Sequence, residues 1–505
     1  TAVTLSVNPI VIAALSFTPR HLVVRTDSKS AGAEQDIYIQ FNGDAGSNYN
    51  YQRILGIATT TSAERISGAV SQKFSSSPVS TDANQFASGE MLIPDALSTR
   101  SHKSTISFTG LVEDRVYAYA GRWASTAAIT SVTLTQNSLA FAAGSIFELC
   151  VVDESFNIDE QIKGSAGTFS VGSIGAADGD LVCIGNMRAA GAYPTDNVHL
   201  QLNGDSTSGN YSRQVLSGSN TTVSAATSVP NRIGYVTAEN GDAGSFGAVL
   251  VQITNFSDGS NDRVATSISG AHGSSSVSLV ETTTSRWNNT AAITALEFLS
   301  ETGSTNLLTG SMLSTYAVPK NLIERQELGS AANITFSDIP QTYDHLELSV
   351  YARSDVSGDV RQYGVYFNGD TTISNYERQT FYATNTTVAA FQHSSPVPGI
   401  IPGATSTANV FGAQTIILQN YTLTDRHQSA LILGGYTTRA EIQLSSGRWK
   451  NTAAITSIEL IVDSPDEFEA GTIVELRGIH STVAAATSDI ETINGIASAN
   501  IQAVN

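Results

Sequence analysis

Apolar and polar residues alternate in short bursts along this chain instead of recurring every three or four positions. In IYIQF (37–41), Ile37, Ile39 and Phe41 fall on one side, with Tyr38 and Gln40 on the other. VHLQL (198–202) and VYF (365–367) repeat the pattern. HLELSV (345–350) alternates Leu346, Leu348 and Val350, and SIELIV (457–462) alternates Ile458, Leu460 and Val462. A period of two is that of a strand with one buried and one wet face. The bursts end at Gly, Asn, Ser and Asp clusters, and helical apolar runs are missing. The pattern predicts an all-β chain of antiparallel, jelly-roll-like β-sandwiches. NPIVIAAL (8–15) reads as a first strand, because it is too short to span a bilayer and lacks the basic flank of a secretory signal.

The strands sit inside a longer repeat. GRWASTAAIT (121–130), SRWNNTAAIT (285–294) and GRWKNTAAIT (447–456) hold all three tryptophans, spaced 164 and 162 residues apart. FNGDAGSNYNYQR (41–53), LNGDSTSGNYSRQ (202–214) and FNGDTTISNYERQ (367–379) keep the same pace, as do AGSIFEL (143–149), TGSMLST (309–315) and AGTIVEL (470–476). A period this long is that of whole domains, not solenoid units. Three β-sandwich repeats are expected at 1–155, 156–318 and 319–482, followed by a tail, 483–505. No Pro-rich or long Gly/Ser linker separates them, which predicts a fairly stiff string.

Composition narrows the function classes. The 505 residues carry a formal charge of −19, so the surface repels nucleic acid and anionic lipid and keeps the chain soluble. Two cysteines exclude a disulfide scaffold and a Cys-rich metal site. Cys183 stands where the third repeat has Leu348, a core position. Cys150 matches Arg477 and points to the opposite face from Leu149.

The repeated phrases are the candidates for chemistry. Asn42-Gly43, Asn203-Gly204 and Asn368-Gly369 follow strands and read as turn centres, since both residues tolerate positive φ. The rival reading has Asp44, Asp205 and Asp370, with Asn48, Asn210 and Asn375, binding Ca²⁺ through oxygens. Tyr51, Tyr211 and Tyr376, aligned with Arg53, Arg213 and Arg378 two residues on, suit packing plus a hydrogen bond; their functional alternative is sugar stacking. Trp123, Trp287 and Trp449 read as caps on one end of each sandwich, with Arg122, Arg286 and Arg448 stacking on a ring or meeting a carboxylate. A ligand platform is the alternative. The invariant TAAIT favours the core seam, and any specificity belongs to the varying Ala124/Ser125, Asn288/Asn289 and Lys450/Asn451.

Catalysis is not expected, nor is a cofactor. The eight histidines are scattered without zinc spacing, and no nucleophile elbow or phosphate loop occurs. Asp178/Asp180 and Asp463/Asp466/Glu467 are placed in turns and are not repeated. Copying a domain three times suits length, avidity or lattice contacts better than one active site. In DIETINGIASANIQAVN (489–505), Ile490, Ile493, Ile496, Ile501 and Val504 could dock on a partner or fray.

GSAANITFSDIPQTYDHLELSVYARSD (329–355), YFNGDTTISNYERQ (366–379) and RWKNTAAITSIEL (448–460) resemble a module of virion structural proteins of tailed phages, notably cyanophages and environmental phages. INGIASANIQAVN is similar to the ends of phage tail-associated proteins. The first two repeats depart in the entry strand. The resemblance implies a virion component, carries over no catalytic residue, and predicts a tail-associated fibre or adsorption protein. Its alternatives are a capsid decoration protein and a carbohydrate-binding array. The partners implied are other virion proteins and further copies of the chain, with a host surface glycan as the alternative, without nucleic acid or membrane insertion. Such a protein is assembled in the host cytoplasm and carried on the mature particle.

Overall fold

The computed structural model describes residues 2–5, 9–12, 20–78, 84–111, 115–175, 179–227, 231–274, 277–301, 306–318, 321–437, 441–462 and 466–480. The tail 483–505, with its five apolar residues, lies outside the described residues, as do Asp178 and Asp463.

Twelve strands build the first module: β1 (Ala2–Leu5), β2 (Ile10–Ile12), β3 (Leu22–Ser28), β4 (Gln35–Phe41), β5 (Tyr49–Ile57), β6 (Thr60–Ala69), β7 (Gln72–Ser77), β8 (Ala87–Ile93), β9 (Lys103–Leu111), β10 (Arg115–Trp123), β11 (Val132–Gln136) and β12 (Ser145–Val151). Eight form a large sheet in the order β1-β12-β3-β8-β9-β10-β5-β6, and four a small sheet, β2-β11-β4-β7. The strands between Leu322 and Ile479 repeat this order in two sheets. Those between Asn157 and Val318 repeat it too, but a short parallel pairing of Arg188 and Ala189 with Thr237 and Ala238 joins the two sheets into one of twelve strands. The protein is therefore an all-β assembly of antiparallel β-sandwiches. The apolar run at 8–15 contributes β2, so it is the second strand and not the first.

Each sandwich buries the faces that alternation marks. Ile37, Ile39 and Phe41 enter the first core, with Trp123 and Ile129. Leu346, Leu348, Val350, Ile458, Leu460 and Val462 enter the third. Cys183 lies in the second core.

The expectation of one wet face holds for small-sheet strands such as β4 and β11. It fails for the inner strands of the large sheets and for β7 and its counterpart Pro398–Pro402, which are buried on both faces. The strand Glu441–Trp449 is buried at every residue. Its second face turns toward the other two modules. A shared core joins Ile54, Val116 and Cys150 of the first module, Leu216, Ile268 and Tyr316 of the second, and Phe381, Ile442 and Leu444 of the third. Ile54, Leu216 and Phe381 hold one place in the repeat. Backbones approach closely there: a Cβ added at Gly218 would lie 2.1 Å from Ile54 Cγ2.

The modules close on themselves. Gln52 Nε2 donates to the carbonyl of Asn220 at 2.8 Å, Gln214 to that of Asn385 at 3.0 Å, and Gln379 to that of Ala58 at 3.0 Å. The contacts run first to second, second to third, and third back to first. A second cycle joins His102 N to Gly244 O at 2.8 Å, Asp262 N to Asn409 O at 3.2 Å and His427 N to Asn84 O at 2.8 Å. The expected string is thus corrected to a closed pseudo-three-fold ring, because the second face of each large sheet is buried against its neighbours.

His21, Asp180 and His345 hold one place in the repeat and meet different chemistry across the three seams. His21 Nε2 meets Ser314 Oγ at 3.1 Å, Asp180 Oδ2 meets Arg477 Nη1 at 3.1 Å, and His345 Nε2 meets Glu148 Oε2 at 2.7 Å. Asp180, expected in a turn, opens the strand Asp180–Ala189 and is fully buried beside Arg477. The attraction of that guanidinium and donation from Gln252 and the Asn255 amide outweigh burial, and they hold the carboxyl below its usual range.

Candidate functional site

The phrases Asn-Gly-Asp and Arg-Trp, about 80 residues apart in the chain, fold into one unit. In the third module the strand Val360–Phe367 ends at Asn368 and Gly369, with φ of 53° and 70°. Both are left-handed, the geometry that makes Asn-Gly the preferred pair. Asp370 N closes the turn on Phe367 O at 3.0 Å. The next strand pairs in the large sheet, so this turn is a corner between sheets and not a hairpin.

Both side chains of the corner then reach the tryptophan phrase. Asn368 Nδ2 donates to Ala454 O at 2.8 Å, while its Oδ1 accepts from Thr456 N at 2.8 Å and Ser457 N at 3.0 Å. Asp370 Oδ2 accepts from Trp449 Nε1 and from Asn375 Nδ2, each at 2.8 Å, and Oδ1 accepts from Thr372 N at 3.0 Å. Ile455 is buried and its N–H donates to Tyr421 O at 2.9 Å. The invariance of TAAIT follows, since its backbone is gripped by the asparagine and its isoleucine plugs the core.

The other modules repeat the brace. Trp123 Nε1 donates to Asp44 Oδ2 at 2.7 Å and Trp287 Nε1 to Asp205 Oδ2 at 2.8 Å. Asn42 and Asn203 grip Ala128 O and Ala292 O at 2.7 and 2.8 Å. Each indole is 2 % exposed, which leaves no face for a sugar. Donation from Trp287, then Asn210, holds the Asp205 carboxyl down at about 2. Burial works against ionisation of Asp370, but donation from Trp449 and Asn375 prevails and also gives about 2. Each carboxylate is surrounded by N–H donors, the wrong environment for the Ca²⁺ alternative. Among the described residues no group of three or more His, Cys, Asp or Glu is placed to hold a metal ion.

The tyrosine alignment needs a correction in the first module. Tyr49, not Tyr51, pairs with Trp123 as Tyr211 pairs with Trp287 and Tyr376 with Trp449. Tyr49 OH accepts from Phe41 N at 2.8 Å, Tyr211 OH from Leu202 N at 3.0 Å and Tyr376 OH from Phe367 N at 3.1 Å. The extra Tyr-x-Tyr in the first module shifted the match by two. Tyr51 lies instead with Leu55, Tyr117 and Tyr119 in a small aromatic core, at the place held by Arg213 and Arg378.

The arginines meet carboxylates, as one of the two expectations had it. Arg122 Nη1 reaches Asp242 of the second module at 2.7 Å, so it ties a seam. Arg286 Nε donates to Asp262 at 2.7 Å, and Arg448 shares Glu377 with Lys450, whose Nζ lies at 3.0 Å. Of the variable loop pairs, the second member is structural. Ser125, Asn289 and Asn451 accept from Ala127, Ala291 and Ala453 N–H groups. The first members, Ala124, Asn288 and Lys450, donate their backbone N–H groups to the carbonyls of Asn48, Asn210 and Asn375, and differ between the modules in their side chains alone.

Sequence reasoning missed two loop clamps. Arg188 donates to the carbonyls of Glu239, Gly241, Asp242 and Ser245, and Arg353 to those of Ala404, Ser406, Thr407 and Val410. The shared Arg in "NMRA" and "YARS" was the available signal. A surface cleft of about 290 Å³ in the first module is lined by Glu34, Gln35, Asp36, Arg115 and Asn137. Its carboxylates are already held, Glu34 by Arg115 and Asp36 by Lys73.

No family model matches the chain, and no curated protein matches it. Among solved structures, mouse laminin alpha1 chain domains LG4-5 are 12 % identical, aligned over 63 % of this chain and 89 % of that one, with a TM-score of 0.14. A protein described by the triple jelly roll fold and turret assembly of an archaeal virus is 8 % identical over 95 % and 85 %, with a TM-score of 0.11. The Sulfolobus turreted icosahedral virus structure is 9 % identical over 94 % and 85 %, at 0.12. At such scores these likenesses carry no inference about fold or function.

Proposed function

We propose that this chain is a non-enzymatic structural protein of a tailed-phage virion, working as a single-chain three-fold block seated on the particle. The observation that carries the reading is the closed cycle Gln52–Asn220, Gln214–Asn385, Gln379–Ala58. One polypeptide supplies the symmetry that a homotrimer would otherwise assemble. The resemblance of 329–355, 366–379 and 448–460 to virion modules supports the same class. The residues repeated most faithfully serve braces and seams, which suits a structural part.

A compact ring suits decoration of a shell better than the shaft of a fibre, so the head is the favoured position. A tail-associated adsorption protein is the second reading, with variation at Ala124, Asn288 and Lys450 in its favour; a host glycan would be met at those loops. Immunogold labelling of intact virions tests both. Label on the head is expected, label confined to the tail transfers the protein to adsorption, and particles without label overturn the virion reading.

A further inference from the structure

Among the described residues, two of the three seams are backed by chain and one is not. The first module's last strand ends at Val151 and the second's first begins at Asn157; the second ends at Val318 and the third begins at Leu322. Among the described residues, no such direct link joins the third module to the first.

That seam has its own latch. Asp27 Oδ2, buried, accepts from Arg426 Nη1 at 2.7 Å and from Asn420 Nδ2 at 3.1 Å. Arg426 lies 4.4 Å above the Phe86 ring and donates to Gly144 O at 2.8 Å. His345 meets Glu148, and Ser88 Oγ meets Ser429 Oγ at 2.5 Å. Asn186 and Tyr351 stand at Asp27's place in the other modules, where they meet Ser101 and Ser104, and the carbonyl of Asp262. The ion pair therefore recognises one neighbour only.

We propose that the third-to-first seam is a clasp, and that an opened chain docks its third module on the first module of a second copy of this chain. The two faces are different and complementary, so the contact is heterologous. Closed within one chain it makes a ring, and made between chains it propagates head to tail. Short connections at the two remaining seams favour such exchange. Opening exposes the polar pairs Asp27–Arg426 and Ser88–Ser429 together with the first and third modules' share of the joint apolar core, including Ile54, Phe381 and Leu444, which drives the opened faces to dock again. Effective concentration keeps the isolated chain closed, and crowding of copies on a particle shifts the balance. The inference is independent of the position on the virion.

The test uses the full chain, concentrated, exposed briefly to mild urea and returned to buffer, with masses read by light scattering after size exclusion. The untreated chain is expected at 53.0 kDa and the pulsed chain as dimers and larger species. The oxidised Ser88→Cys/Ser429→Cys variant is expected to stay monomeric through the same pulse. Asp27→Lys and Arg426→Glu each weaken the contact within and between chains alike and are each expected as monomers. An equimolar mixture of the two given the same pulse restores both charge pairs only between chains and is expected at twice the mass. Asp27→Lys/Arg426→Glu in one chain is expected to behave as the parent. A locked variant that associates as the parent does, a parent that stays monomeric after the pulse, or a mixture of Asp27→Lys and Arg426→Glu chains that stays monomeric, overturns the proposal. Circular dichroism identifies an Asp27→Lys variant that unfolds, and the locked variant then decides alone.

Discussion

Gln379 donates its side-chain N–H to the carbonyl of Ala58 at 3.0 Å, across 321 positions of sequence. That bond returns the third module to the first, and its two counterparts make the closure a property of the repeat rather than of one contact. The glutamine N–H groups satisfy carbonyls of hairpin turns whose first residue, Ala58, Asn220 or Asn385, holds φ near +50°. A carbonyl in such a turn has no ladder partner of its own.

Loss of one of these bonds is expected to loosen the ring without dissolving a sandwich. Gln214→Ala leaves the Asn385 carbonyl without its donor, at about 1–3 kcal/mol. Hydrogen exchange should rise at the hairpins around Asn220 and Asn385 while the amides of the second core keep their protection.

Gly218→Val tests the close approach at the axis. A side chain there must displace Ile54, whose Cγ2 would lie 2.1 Å from the new Cβ. Overpacking of this kind costs about 1–3 kcal/mol. The urea midpoint should fall, and Gly218→Val/Ile54→Ala should recover part of the loss.

Trp449→Ala is expected to unfold the third sandwich's end, at about 3–5 kcal/mol. Trp449→Phe keeps the ring but removes the donor to Asp370, at about 1 kcal/mol. Denaturation curves of the two variants separate packing from the hydrogen bond. A glycan that bound the parent and lost only affinity with Trp449→Ala, at unchanged stability, would restore the platform reading.

Stability should fall as pH drops from 7 to 4. Burial, with smaller contributions from Arg20 and Arg122, holds His21 and His272 down at about 3, against 6.5 when unfolded. Between those values the unfolded chain takes up protons that the folded one refuses, so stability is full above 6.5 and declines below it. Asp205 and Asp370, at about 2 against 3.8, add a further loss as pH falls through that lower window. His21→Gln should flatten the upper part of the urea-midpoint profile.

The brace was largely legible in sequence, because its parts recur together: the Asn-Gly corner, the tryptophan and the TAAIT loop all stand at fixed spacing. Strand faces were legible where one side was apolar, as at Ile37, Ile39 and Phe41. The ring was not. Its seam-facing residues include Ser446, Gln379, Ser88 and Gln419, all almost fully buried yet polar. On an alternating strand such residues read as a wet face, since burial by a hydrogen-bonded neighbour leaves no apolar mark. The tyrosine slip has a similar origin, because Tyr49 and Tyr51 share one strand face and only pairing with Trp123 distinguishes them.

Small-angle X-ray scattering of the purified chain at neutral pH tests the closed ring most directly. A single compact body of this length has a radius of gyration of ~23 Å, whereas three separate bodies in line have one of ~35 Å. The ring predicts the smaller value at the mass of one chain, 53.0 kDa. The larger value at that mass, or a compact particle only at the mass of three chains, would contradict it.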